Sequence, residues 1–132
     1  MVKQDRSSLT GLWHGQFTYP RSFRPEFFTA SLLDQSGALS GSITEKATET
    51  TAQQSILFAT LSGRHSGSLV MFVKLYEGGN RQHSVQYEGT VNEDGTEISG
   101  TWSIPGNWSG QFLMIREGQA EQTEELLCEA DI

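Results

Sequence analysis

Glu45 and Lys74 stand in two short runs of alternating apolar residues, "LSGSITEK" and "LVMFVKLY". Glu45 shares its parity with Leu39 and Ile43, and Lys74 shares its parity with Val70 and Phe72. Strand periodicity therefore turns both ionisable groups toward the side that is buried. A charge buried alone is costly, so each is expected to meet the other, water or a ligand. Tyr19, Phe28, Tyr76, His83, Tyr87, Trp102 and Trp108 fall on the same inward set and near the same strand ends. Together these nine residues suit a site for a small, partly apolar or aromatic molecule. The rings supply contact area, while Glu45, Lys74, Tyr76 and His83 orient the ligand.

Other chemistries find less support. No Gly-x-Ser-x-Gly elbow is present, so no nucleophilic serine is expected. Cys128 is the only cysteine, and no Cys-x-x-Cys or His-x-x-x-His spacing occurs. His14 faces outward, His65 is expected in a turn and His83 lies beside a loop, so the histidines do not converge on a metal. No catalytic residue, metal or cofactor is expected. An isomerase or cyclase using Glu45, Lys74 or His83 as acid–base groups is the minor reading.

The elements that must position these residues are strands. Alternation with period two recurs near 10–19, 26–34, 38–46, 55–63, 67–76, 82–91, 96–104 and 108–116. Turn-forming residues separate the runs: Gln35-Ser36-Gly37, Arg64-His65-Ser66, Glu77-Gly78-Gly79-Asn80-Arg81, Asn92-Glu93-Asp94-Gly95 and Pro105-Gly106-Asn107. Longer polar loops fall at 20–25 and 47–54. Short links make sequence neighbours pair antiparallel, and closing the meander removes its two exposed edges. The expected fold is all-β: an eight-stranded antiparallel up-and-down meander barrel, with a two-sheet sandwich as the alternative.

Six strands also carry a glycine on the inward parity: Gly15, Gly41, Gly63, Gly89, Gly100 and Gly110. Glycine normally weakens a strand. Here it permits sharp coiling and lets an aromatic from a neighbouring strand lie over bare backbone.

The 132 residues suit one domain: a flexible N-terminus over 1–9, the barrel over 10–116 and an acidic C-terminal tail over 117–132, mobile or forming a short helix. Of the net charge of −7, the tail contributes six acidic groups and no basic one. The remainder is nearly neutral and has no basic stripe, which argues against a nucleic-acid partner. The N-terminal residues contain no apolar signal-like run, and no apolar stretch approaches membrane-spanning length. A cytoplasmic location and no membrane partner are expected.

"GLW" on the first strand, Arg116 at the end of the last, and the eight-strand meander resemble the calycin barrels, which include lipocalins, fatty-acid-binding proteins and avidins. The resemblance implies that a basic residue of the last strand packs over the indole of Trp13 at the closed end. "ISGTW" and "NWSGQF" look like late strands of avidins. Avidin-type biotin sites use small polar side chains on the first strand, where this chain has Gly15 and Phe17, and no adjacent tryptophan pair is present. The resemblance therefore implies a barrel with a ligand-binding habit that is not a typical biotin binder.

"SILFATL" and "SLVMFV" are apolar on both parities. Their outward residues Ile56, Phe58, Leu69, Met71, Val73 and Leu75 form a patch larger than a monomer usually leaves bare. A homo-oligomer through this face is expected, unless Leu126 and Leu127 of the tail fold back over it. The leading functional expectation is a non-enzymatic barrel holding a small ligand at its open end. The alternative is a protein–protein interaction or inhibitor-like module with a filled interior.

Overall fold

The computed structural model describes residues 8–20, 24–46, 56–77, 84–106 and 108–118. The strands are β1 (Gly11–Thr18), β2 (Glu26–Gln35), β3 (Ala38–Lys46), β4 (Ile56–Ser66), β5 (Leu69–Tyr76), β6 (Ser84–Val91), β7 (Glu97–Ile104) and β8 (Trp108–Arg116). Each pairs antiparallel with the next, and β8 returns to pair with β1, so the sheet closes as an up-and-down barrel. The seam runs from Trp13 opposite Arg116 to Thr18 opposite Gln111. Among the described residues no helix is long and apolar enough to cross a membrane. The tail from 119 onward and His83 lie outside the described residues.

Local chemistry explains the hairpins. Ser36 and Gly37 both have positive φ, 54° and 98°, which gives the mirror-image turn that follows strand twist. In the β6–β7 turn the Asn92 side-chain carbonyl accepts the N–H groups of Thr96 and Glu97 at 2.9 and 3.0 Å. One expected turn is corrected. Arg64, His65 and Ser66 belong to β4, and the chain reverses at Gly67-Ser68, between the paired residues Ser66 and Leu69. Gly67 supplies the positive φ of 59° that the hairpin needs, leaving His65 in the ladder opposite Val70.

Inward side chains form one core inside the barrel. Trp13, Ala30, Val70, Ile98 and Met114 have no exposed surface. Gly15 sits opposite Phe28, and a β-carbon there would come within 2.2 Å of the Phe28 ring. The glycine between two aromatics in "GLWHGQF" is thus the bed on which a third ring lies. Gly63 is tighter, because its β-carbon would meet the Met71 carbonyl oxygen and come within 2.5 Å of the Phe72 Cα.

The end bearing the tight turns is sealed. The Arg116 guanidinium lies 5.1 Å from the centre of the Trp13 ring. It donates to the carbonyls of Gly95, Ser8 and Thr10 at 2.9, 2.7 and 3.0 Å. Leu9 is fully buried and its carbonyl accepts the Trp13 indole N–H at 3.0 Å, while residues 1–7 lie outside the described residues. Asp34 ties this plug to the hairpins. Its carboxylate accepts the N–H of Leu9 and of Gly37, both at 2.9 Å, and contacts His65 Nδ1 at 2.8 Å. His65 Nε2 meets the Gly67 carbonyl at 2.9 Å.

Replacing Gly63 by alanine should cost about 1–3 kcal/mol, read from urea unfolding, because backbone rather than a movable ring obstructs the methyl group. For Asp34, burial acts to raise the pKa, but the hydrogen bonds from Leu9, His65 and Gly37 outweigh it and hold the carboxyl below its ordinary 3.8. A depressed folded-state value means that the contribution is present above 3.8 and lost as pH falls through the lower folded value. Urea midpoints of wild type and Asp34→Asn should therefore differ at neutral pH and converge in acid below that value.

Candidate functional site

The end opposite the Trp13–Arg116 seal is the mouth. There β1, β3, β5 and β7 finish, β2, β4, β6 and β8 begin, and the three longest connections lie. Just below it, β3 brings in Glu45 and β5 brings in Lys74, from either side of β4. Both are buried, with 6% and 1% of their surface exposed. Lys74 Nζ donates to Glu45 Oε2 at 2.5 Å and to the Tyr87 hydroxyl at 3.0 Å. The Tyr76 hydroxyl donates to the other carboxylate oxygen, Oε1, at 2.9 Å. Among the described residues no buried side-chain nitrogen or oxygen lacks a hydrogen-bond partner.

Three rings enclose the ammonium. Nζ lies 4.6 Å from the centre of Tyr76, 5.1 Å from Phe17 and 5.3 Å from Tyr87. Such faces stabilise a desolvated cation by about 2 kcal/mol or more. Burial, followed by the nearby Glu45 carboxylate, pushes the Tyr87 phenol well above its ordinary value of 10.0. Tyr87 therefore stays neutral and can accept from Lys74 while keeping its own proton.

The remaining aromatics form a second group against the first. Trp102 is buried, donates its indole N–H to the Thr18 carbonyl at 3.0 Å, and meets Tyr19 edge-on at 5.3 Å. Trp108 keeps the inward parity but lies at the rim, 53% exposed, with its ring edge-on to Tyr19 at 5.9 Å. Phe28 bridges the groups, with ring centres 6.1 Å from Phe17 and 6.5 Å from Tyr87. Deeper in, Tyr87 stacks on Phe72 at 4.7 Å and meets Phe112 edge-on at 5.0 Å.

Of the residues singled out from sequence, Glu45, Lys74, Tyr76 and Tyr87 form one bonded cluster. Tyr19, Phe28, Trp102 and Trp108 are its aromatic neighbours, and His83 lies outside the described residues. Sequence reading misses Phe17 as part of the ammonium cage. Phe17 comes from β1 and Lys74 from β5, strands on opposite sides of the barrel, so only closure brings them together. It also misses the Asp34–His65 pairing, because the local pattern puts His65 in a turn.

The cluster gives a sharp energetic expectation. Lys74→Met leaves the Glu45 carboxylate buried without its cation, which should cost about 3–5 kcal/mol. Adding Glu45→Leu should recover most of that loss, since apolar replacement of both partners of a buried ion pair is often neutral or stabilising. Urea unfolding of the two single variants and the double variant measures the coupling.

No protein-family model matches this sequence, and no curated protein matches it.

Proposed function

We propose that this barrel binds a small, uncharged, partly apolar or aromatic molecule at its mouth. The single observation that carries the reading is the buried Glu45–Lys74 pair, fully bonded with Tyr76 and Tyr87 beneath a rim of rings. A core built for stability alone gains nothing from such a pair over apolar side chains of similar size. Sparse, fixed polar groups under aromatic walls are what orient a ligand. Glu45 and Lys74 cancel each other's charge, so an uncharged ligand suits this floor. The rings below are packed on one another, so on this reading the ligand sits higher, against the half-buried Tyr19 and Tyr76 and the exposed Trp108. Closure by eight strands and the stacking of Arg116 on Trp13 support kinship with the calycin barrels.

A second reading, an interaction module with a filled interior, draws on the outer surface. An open cleft of about 750 Å³ lies over β1–β4, walled by Phe27, Ile56 and Phe58 above Thr29 and Thr44. The two readings separate by titration with the neutral dye Nile red, whose fluorescence rises on leaving water. Mouth binding predicts saturable binding that Trp108→Ala weakens by about tenfold and Phe27→Ser leaves unchanged. Truncating an aromatic anchor at a binding site costs about 1.4 kcal/mol or more, the equivalent of that factor. No saturable binding, or loss with Phe27→Ser alone, would overturn the mouth reading.

A further inference from the structure

The outward face of β5 is apolar along its whole length. Leu69, Met71 and Leu75 are 59%, 52% and 49% exposed, and Val73 between them is half-buried. Phe58 and Ile56 extend the surface onto β4 at 54% and 56% exposure. Together these side chains expose on the order of several hundred Å², at or above the largest patch of an ordinary monomer. That is also a large share of the roughly 800 Å² each partner contributes to a stable interface. Around Met71 and Val73 the face is hollowed into an open groove of about 280 Å³, lined on its flanks by Ser62, Arg64, Gln86 and Glu88.

The charges at this groove select its occupant. Arg64 on β4 lies opposite Met71, and Met71 lies opposite Glu88 on β6. One basic and one acidic side chain thus flank the same methionine on opposite sides. Nearer the mouth, the outward flanks on both strands carry Thr60 and Ser62 on β4 and Ser84 and Gln86 on β6, all without charge.

We propose that the β5 face is a homodimer interface, with the two copies related by a two-fold axis in the plane of contact and roughly along β5. Such an axis sets each copy's apolar row against the other's, as in the packing of two sheets. It also exchanges left and right flanks, so Arg64 of one copy meets Glu88 of its partner, and the contact repeats by symmetry. An axis across β5 would instead set Arg64 against Arg64. A partner of unrelated sequence would leave this self-complementary placement unused. The inference is independent of what the mouth binds.

Sedimentation equilibrium of the full chain at micromolar concentration tests it. The expected mass is twice 14.6 kDa. Met71→Glu should yield monomers. Arg64→Glu and Glu88→Arg should each raise the dissociation constant by about a hundredfold, since each sets like charges together twice per dimer. Combining the two reversals should restore the wild-type value. All three side chains point outward, so unchanged near-ultraviolet circular dichroism would certify the fold of each variant. A monomeric wild type would overturn the proposal, including the case in which the chain's own tail covers the face. So would a dimer that Met71→Glu leaves intact, or a double reversal as weak as its singles.

Discussion

Everything in this molecule depends on β1 pairing with β8. Seven hairpin-type pairings between sequence neighbours are cheap in loop entropy, but the eighth joins residues about a hundred positions apart. Closure abolishes the two free edges that the meander would otherwise expose. It also forces each strand to coil, and the inward glycines let the coil tighten without steric conflict. At three of these glycines a ring occupies the space of the missing β-carbon: Phe28 at Gly15, Phe112 at Gly89 and Trp102 at Gly110. Arg116 then holds the seam's end by stacking on Trp13 and gathering carbonyls from the N-terminal segment and the β6–β7 turn.

Closure also completes the cage around the buried polar cluster. Glu45 and Lys74 come from one side of the wall, whereas Phe17 reaches the ammonium from β1. In an open sheet, Lys74 would keep its carboxylate but lose that ring and the dry interior that strengthens the pair. Desolvating both charges costs several kcal/mol per ion. Two tyrosine hydroxyls and three ring faces around the pair offset part of that cost. The two ends of the barrel differ: the turn end is closed by Leu9, Trp13 and Arg116, while at the other end Tyr19 and Tyr76 are half-buried and Trp108 is exposed.

Much of this architecture is legible in the residues. Period-two alternation locates eight strands and their inward faces, because one side of each strand meets a core and the other meets water. Ser36-Gly37 and Asn92 through Gly95 mark turns by mechanism. The β4–β5 reversal is misplaced by sequence reading because "GRHSG" offers polar residues before its glycine, and only the ladder opposite Val70 shows His65 to be strand. Leu9 is not legible as core because the polar run before it, Lys3 to Ser8, gives it no apolar period. Phe17 is legible as inward but not as a neighbour of Lys74. Proximity across a barrel depends on shear and tilt, which no local pattern encodes. The pairing of Glu45 with Lys74 is open at sequence level because water or a ligand would satisfy the same parity.

The first and last strands form one continuous ladder with the rest. Residue-resolved amide hydrogen exchange of the intact chain tests this closure most directly. In a closed barrel, hydrogen-bonded amides between His14 and Phe17, and between Phe112 and Ile115, exchange as slowly as those at the centre of β3 and β4. Rapid exchange confined to β1 and β8 would mean two solvent-facing edges and would contradict the closed barrel.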